Sequence, residues 1–260
     1  MARPLTDITA RPNRFGEWRG ALGKRLALMG RPAPVSARGP QIGLLLGELS
    51  AGAEPLRRKF RPPLDIQPAA NRQIVMIMPG FCTHPLRMRY LARQLERAGH
   101  KTKHWGLGWN WGPSVANFAA LAERLDAVHA RYDQKIVLLG WSLGGIFARE
   151  VAKQRPDKVS MVISMGSPFS GAPNANNAWR LYELITGHAV DNPPIEVMTA
   201  EKPPVDTVAM WSPRDGVISP RSAAGREGER DRVVALRCTH LGFSYSPEAI
   251  QAVLRELDRT

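Results

Sequence analysis

The chain from residue 73 onward alternates short apolar runs with stretches of helical periodicity. Apolar runs such as 73–78 and 135–139 have the length of buried strands, and 115–132 has the spacing of a helix. Strands are predicted at 73–78, 101–105, 135–139, 159–165, 205–211 and 232–236, and helices at 86–98, 115–132, 144–153, 178–185 and 247–257. This order predicts an α/β fold with a mostly parallel central sheet and helices on both faces.

Two stretches depart from this alternation. Residues 171–203 carry Asn, Gly and Pro clusters around one helical piece, which predicts a cap-like insertion over the edge of the sheet. Residues 1–72 alternate basic patches with Pro and Gly and include short helical patterns. We therefore predict a basic N-terminal helical extension over 1–72 and an α/β domain over 73–260.

The extension contains one basic amphipathic helix. Its apolar positions recur at spacings of three and four residues, and arginine and lysine occupy the other positions; the apolar residues are Phe15, Trp18, Leu22 and Leu26. Such a helix either packs its apolar stripe against its own domain or lies on a membrane surface. The sequence leaves both interpretations open.

Basic residues are concentrated in the N-terminal extension. The 260 residues carry a formal net charge of +13, and residues 1–72 hold 13 basic and five acidic side chains. A basic segment attracts anionic lipid or nucleic acid by long-range electrostatics. The chain has no basic stripe interleaved with aromatic residues, so no nucleic-acid partner is expected, and contact with an anionic membrane through residues 1–72 is retained as an alternative.

Cysteine usage and apolar run lengths bear on location. Cys82 and Cys238 are too few for a disulfide framework and suit a reducing compartment. The N-terminal residues lack the apolar region of a secretory signal, and the longest apolar runs, such as 42–46, fall short of the roughly 20 residues that cross a bilayer. We expect a cytoplasmic protein, with peripheral membrane contact as an open alternative.

The run Gly140-Trp141-Ser142-Leu143-Gly144 carries the strongest chemical signal. It lies between the predicted strand 135–139 and the predicted helix 144–153. A nucleophilic serine on a strained strand-to-helix turn needs small residues two positions before and after it, so that strand and helix can approach closely. Gly140 and Gly144 meet this need, and Ser142 is therefore the candidate nucleophile.

At these residues the chain resembles the α/β-hydrolase superfamily, in particular its lipase and esterase branch. The resemblance covers roughly residues 73–260 and implies a triad in the order serine, acid, histidine, with the last two after late strands. Asp215 follows the strand predicted at 205–211, and His240 follows the strand predicted at 232–236. The rival carboxylates are Asp191, in the insertion, and Asp206, at a strand start and so at the wrong edge of the sheet.

These residue types match acyl transfer to a serine. A serine hydroxyl is a weak nucleophile, so an imidazole takes its proton, and a carboxylate orients that imidazole. The resemblance implies that the backbone N–H groups of Leu143 and Phe81 stabilise the oxyanion. The superfamily usually has His-Gly where this chain has Pro79-Gly80, so Phe81 is the less secure of the two donors.

Five further residues are candidates for substrate binding. The loop 105–112 is rich in tryptophan and follows a predicted strand, so Trp109 and Trp111 either wall an acyl pocket or anchor the loop to the core. The run 166–171 resembles a segment of many lipases, where Phe169 shapes the pocket wall or packs in a turn. His84 follows the oxyanion loop, and Trp141 precedes the nucleophile.

The sequence predicts a serine hydrolase that cleaves a small-molecule or lipid carboxylic ester through an acyl-enzyme. One alternative keeps the triad in an acyltransferase, thioesterase, amidase or peptidase. A second is a scaffold of minor catalytic activity that binds an anionic membrane through the basic N-terminal segment. No motif for a metal or nucleotide cofactor is present, so none is expected, and the oligomeric state is left open.

Overall fold

The computed structural model describes residues 14–32, 37–195 and 198–259. Its strands are β1 (Ile74–Met78), β2 (Lys101–His104), β3 (Ile136–Trp141), β4 (Val159–Met165), β5 (Asp206–Trp211) and β6 (Arg232–Ala235). They form one six-stranded sheet in the order β2-β1-β3-β4-β5-β6, and every neighbouring pair is parallel. The carboxyl ends of all six strands therefore meet at the same edge.

Nine α-helices occur within the described residues. They are α1 (Arg14–Met29), α2 (Gly43–Glu48), α3 (Glu54–Phe60), α4 (Arg89–Arg97), α5 (Val115–Tyr132), α6 (Leu143–Gln154), α7 (Trp179–Thr186), α8 (Pro220–Ala224) and α9 (Pro247–Leu257). Three 3₁₀ turns cover Leu49–Ala53, Pro85–Met88 and Leu241–Ser244. None of the helices in the described part of the chain combines the length and apolar character that spanning a membrane requires.

Helices pack against both faces of the sheet. Successive side chains of a strand point to opposite faces, so each strand contributes to two cores. On one face Val75 and Ile77 share a core with residues of α4 and α9. On the other face Ile74 and Met76 share a core with residues of α5 and α6. All five residues of β1 and all six residues of β3 are buried, which explains why the central strands are almost entirely apolar.

The fold class is confirmed, and most predicted elements lie within one or two residues of their observed bounds. The predicted helix 86–98 begins as a 3₁₀ turn, because Pro85 occupies the first position and His84 caps Leu86 N through its ring nitrogen. The helices α2, α3 and α8 were not predicted individually. With six, seven and five residues, they are too short to display a full apolar period.

The amphipathic helix of the extension corresponds to α1, which packs beside α7. Arg31, just beyond α1, forms a 2.7 Å ion pair with Glu183 of α7, and Arg180 donates a 2.6 Å hydrogen bond to Met29 O. Leu22 and Leu26 are nevertheless exposed. The side chains of Phe15 and Trp18 lie outside the described residues, so the fate of the full apolar stripe stays a prediction.

Candidate active site

Ser142 lies on a sharp turn between β3 and α6. Its backbone has φ of +55° and ψ of −124°, a left-handed conformation that side chains other than glycine rarely adopt. A Cβ on Gly140 would overlap the Gly144 carbonyl, and a Cβ on Gly144 would overlap the Met78 carbonyl. The two glycines thus allow α6 to approach the strands, and the turn presents Ser142 at the carboxyl edge of the sheet.

Asp215 and His240 form a buried, directly bonded pair at the same edge. Asp215 Oδ2 lies 2.8 Å from His240 Nδ1, and the two residues are 1% and 4% exposed. The other carboxylate oxygen, Oδ1, accepts hydrogen bonds from Val217 N at 2.8 Å and Ile218 N at 2.7 Å. The carboxylate is therefore fixed on one side by its own loop, and its second oxygen orients the imidazole.

Trp141 connects this pair to the serine turn. Its indole Nε1 donates to His240 O at 3.0 Å, and its ring centroid lies 5.5 Å from that of His240. Ser142 N donates to Met165 O at 2.8 Å, which fixes the turn against β4. Among the described residues no hydrogen bond joins the Ser142 hydroxyl to His240. Such contacts are commonly long before substrate binds and tighten in the reacting complex.

An apolar cavity of about 210 Å³ opens at Ser142. Phe81 and Leu143 line it, and within the described chain neither of their backbone N–H groups donates to a protein acceptor. Residues of the 171–203 stretch form much of the remaining wall, including Trp179 and Tyr182. The cavity thus combines the serine, two available N–H donors and an apolar lining.

Comparisons with known proteins bear on the fold. A family model described as "alpha/beta hydrolase fold" matches residues 73–184. These residues therefore match the α/β-hydrolase fold family, and the six-stranded parallel sheet has the corresponding fold. A Bacillus licheniformis lipase has a similar structure, with a TM-score of 0.57 and 14% identity over 75% of this chain and 96% of that one. No curated protein sequence matches the chain significantly.

A second similar solved structure comes from a report on two metagenome-derived lipolytic enzymes. Its TM-score is 0.53 and its identity 16%, over 75% of this chain and all of that one. At such identities the likeness concerns the fold alone. The family match ends within α7, before the strands that precede Asp215 and His240. The family match therefore does not reach Asp215 or His240, and their pairing is known from the 2.8 Å contact alone.

The five candidate substrate-binding residues do not line the cavity at Ser142 in the described structure. Trp141 is buried against His240, and Phe169 is buried under the guanidinium of Arg149. Trp109 and Trp111 are half exposed and stack on each other, with ring centroids 5.4 Å apart. His84 contacts Trp109, at 5.8 Å between ring centroids. A role in substrate binding stays a prediction for all five residues.

The rival carboxylates have other partners. Asp206 begins β5, at the amino end of the sheet, where Arg232 binds both of its oxygens at 2.8 and 2.6 Å. Asp191 lies at the cavity wall and pairs with Arg31 at 3.1 Å. Of the three carboxylates considered, Asp215 is the one bonded to a histidine.

Two residues near the site escaped sequence reasoning. Asn110 is fully buried. Its side-chain Nδ2 donates to Pro79 O at 2.8 Å, and its backbone O accepts from Cys82 N at 2.8 Å. Asn110 therefore holds the loop that carries Phe81. Glu48 of α2 accepts a hydrogen bond from His240 N at 2.7 Å through Oε1. The position of Asn110 between two tryptophans was a weak signal, and nothing local in sequence points from Glu48 to the site.

Arg149 of α6 fastens the end of the 171–203 stretch. This buried guanidinium donates to the backbone oxygens of Thr199 at 3.1 Å, Glu201 at 3.1 Å and Glu229 at 2.9 Å. Burial lowers the pKa of Arg149 to about 10, which leaves it charged at neutral pH. The helix that follows the serine turn therefore also holds the wall of the cavity, since Thr199 lines it.

Both cysteines near the site are free thiols. Burial raises the pKa of Cys82 and raises that of Cys238 to about 12. A thiol acts as a nucleophile in its thiolate form, so these shifts leave both cysteines largely unreactive at neutral pH. They are consistent with packing roles beside the Phe81 loop and the His240 loop.

Proposed function

We propose that this protein is a serine hydrolase that cleaves a carboxylic ester through an acyl-enzyme. The observation that carries the proposal is the buried Asp215–His240 pair at the edge where the strained Ser142 opens into an apolar cavity. A nucleophile, an oriented base and available oxyanion donors are the elements that acyl transfer to serine requires.

In this mechanism Ser142 attacks the ester carbonyl while His240 accepts the hydroxyl proton through Nε2. Asp215 holds Nδ1–H, which keeps the tautomer that leaves Nε2 free to accept and stabilises the imidazolium that forms. The N–H groups of Leu143 and Phe81 stabilise the oxyanion. His240 then protonates the leaving alcohol, and water attacks the acyl-enzyme by the same steps in reverse.

The cavity favours an apolar acyl group. Its lining includes Phe81, Leu143, Ile146 and Phe147, and its volume of about 210 Å³ is small. Pockets for drug-sized ligands span roughly 300–1,000 Å³. A short or medium acyl chain therefore fits this cavity better than a long one.

The same residues would also serve a thioesterase, an amidase, a peptidase or an acyltransferase, because these reactions share the acyl-enzyme. A matched series of acyl groups on oxygen, sulfur and nitrogen leaving groups, with and without an added alcohol acceptor, separates them. We expect the oxygen esters to have the highest kcat/KM and water to be the main acceptor. Faster thioester turnover, or product transfer to the alcohol, would replace the ester assignment.

Covalent labelling tests the nucleophile directly. A fluorophosphonate probe should add one adduct to the intact protein, and peptide mapping should place it on Ser142. Ser142→Ala should remove both the adduct and the esterase activity. Ser167→Ala is the matched control, because Ser167 is a buried serine beyond the carboxyl end of the neighbouring β4. Absence of an adduct in folded protein would refute the proposed function.

A further inference from the structure

Glu48 is a carboxylate of the N-terminal extension that lies beneath the Asp215 and His240 loops. It is 8% exposed and ends α2. Its Oε1 accepts from His240 N at 2.7 Å and from Gly216 N at 3.0 Å, and its Oε2 accepts from Leu241 N at 2.8 Å. One side chain thus binds the backbone of the histidine and that of the residue after Asp215.

The charge of Glu48 has no cationic partner among the residues that the structure describes. Glu54, only six positions along, is also buried but pairs with Arg61 at 3.1 Å and with Arg58 at 3.8 Å. Burying a carboxylate is costly unless hydrogen bonds or opposite charges compensate it. For Glu48 the compensation comes from three backbone N–H groups, all of them in the two loops.

The extension around Glu48 is seated directly on the Asp215 loop. A Cβ added to Gly216 would lie 2.6 Å from Leu44 O, so the α2 backbone packs where Gly216 has no side chain. Asn177 Nδ2 donates both to Gly216 O at 2.8 Å and to Pro40 O at 3.1 Å. Residues 40–48 are therefore attached to this loop from two sides.

We infer that Glu48 is a positioning residue for the acid–histidine pair. This inference rests on the proposed function and adds a residue to it. The shared oxygen Oε1 fixes the separation between the backbones of the Asp215 loop and the His240 loop. Catalytic groups must be held within about 0.5 Å of the productive geometry, and a misplacement of about 1 Å can lower the rate by about 100-fold.

The test is Glu48→Gln in the full chain, with Glu54→Gln as the matched buried control. A glutamine retains the size of Glu48 but offers one acceptor oxygen, and its amide group faces a backbone N–H that also donates. We expect kcat to fall at least about tenfold with KM within about twofold, and Glu54→Gln to retain the wild-type kcat. Glu48→Asp, which retains both oxygens, should recover part of the loss.

A proton NMR signal of the His240 Nδ1–H bonded to Asp215 gives a readout that does not depend on turnover. It should broaden or shift in Glu48→Gln and stay unchanged in Glu54→Gln, at matched melting temperature. A folded Glu48→Gln with wild-type kcat and an unchanged signal would overturn the inference. If Glu48→Gln does not fold, the inference requires that folded Glu48→Asp have a kcat below that of the wild type. An unlabelled Ser142 in the wild type would instead count against the proposed function.

The same segment of the extension also carries exposed apolar side chains. Five large apolar side chains, each between 62% and 77% exposed, occupy positions 42–60 and are called here the apolar face: Ile42, Leu46, Leu49, Leu56 and Phe60. Exposed apolar side chains concentrated in one short segment are a candidate binding surface, whereas those scattered singly are ordinary.

Basic side chains border the apolar face. Arg57 and Lys59 are exposed between Leu56 and Phe60. A neighbouring groove of about 260 Å³ is lined by four arginines, which belong to the extension, to the 3₁₀ turn before α4 and to α4 itself: Arg58, Arg87, Arg89 and Arg93. The acidic residue in its lining, Glu54, is paired with Arg61. Apolar side chains flanked by cations complement an anionic lipid surface, whose headgroups attract the cations while the acyl region accepts the apolar groups.

We propose that the apolar face docks on an anionic bilayer. The test is co-sedimentation with vesicles of phosphatidylcholine alone or mixed with phosphatidylglycerol. Binding is expected on the mixed vesicles, weakening as salt is raised. Leu46→Ser combined with Phe60→Ser should lower the partition coefficient by about tenfold or more. The control pair is Leu181→Ser with Met198→Ser, two exposed apolar residues elsewhere, and it should bind as the wild type does.

Three outcomes would overturn the docking proposal. The first is equal binding of the wild type and the apolar-face variant. The second is no binding to mixed vesicles. The third is a concentration-dependent dimer that the variant abolishes, which would assign the face to a second copy of the chain. Vesicle binding is measured without turnover, so this result is independent of the proposed esterase activity.

Discussion

The central sheet and the segment 42–60 have opposite patterns of burial. In β3 all six residues are buried, and four of them are large aliphatic residues. In the segment, large apolar side chains such as Leu46 and Phe60 are exposed, while Glu48 and Glu54 are buried. For these four side chains the usual distribution of apolar residues inside and charged residues outside is reversed.

The difference shows that two kinds of interaction hold these regions. Removal of apolar area from water and close packing stabilise the sheet. The segment is attached to the domain by the Glu48 carboxylate on backbone N–H groups and by close contact at Gly216. Hydrogen bonds of this kind are directional, so the segment suits the positioning of loops better than it suits bulk stabilisation.

The largest expected contrast is between two glycine-to-alanine changes. Gly144→Ala places a methyl group on the Met78 carbonyl, so we expect a loss of about 3 kcal/mol or more of unfolding free energy, and no activity. Gly52→Ala in the segment meets nothing within 4 Å and should change stability by at most about 1 kcal/mol. Urea unfolding and an ester assay measure both variants.

The loss of kcat on changing a carboxylate to its amide should depend on the group that the carboxylate binds. Asp215→Asn places an amide against His240 Nδ1 and favours the wrong tautomer, so kcat should fall by about 10³- to 10⁴-fold. This loss should exceed that of Glu48→Gln, because Glu48 contacts backbone and not the imidazole. Asp206→Asn, at the opposite edge of the sheet, should retain near-normal kcat. An active Asp215→Asn would remove Asp215 from the mechanism.

Alanine substitutions of one buried and one exposed leucine test the difference in burial between the sheet and the segment 42–60. Leu138→Ala in β3 creates a cavity in the core and should lower the unfolding free energy by about 2–5 kcal/mol. Leu46→Ala removes a side chain that is 71% exposed and should change it by no more than about 0.5 kcal/mol. Equal losses in chemical denaturation would mean that the segment is packed more closely than its exposure indicates.

The smallest expected effect is the pH dependence of stability that comes from the buried His100. Burial lowers the pKa of His100 below the ordinary value of 6.5, because the interior disfavours the imidazolium. Below pH 6.5 the unfolded chain therefore binds a proton before the folded chain does, and stability falls as the pH is lowered. His100→Asn retains an acceptor for Gln73 N and should reduce this decline. Melting temperatures between pH 7 and pH 5 measure the slope.

Much of the fold was predictable because its signals are local. The run 115–132 has helical periodicity and became α5 with the same bounds, and the two glycines beside Ser142 predicted the tight turn. The short helices α2 and α3 were not predictable individually, since fewer than two turns carry no clear period. Their placement depends on contacts with distant residues.

Candidate site residues divide in the same way. Asp215 and His240 could be proposed because each follows a strand whose carboxyl end lies at one edge of the sheet, and the structure brings the two together at 2.8 Å. Trp109 and Trp111 follow a strand as well, yet they stack on each other at the surface. Position after a strand fixes the edge where a residue lies, but the path of its loop decides where the side chain points.

The sequence by itself determined the order of strands and helices, the strained serine turn and the sheet edge at which the acid and the histidine meet. Each of these follows from periodicity or turn chemistry within a few residues of chain. Only the tertiary structure decided that Glu48 binds the backbone of His240, 192 positions away, and that the apolar residues around Glu48 face outward. The reason is physical: local sequence sets local conformation, whereas contacts between distant segments depend on how the whole chain packs.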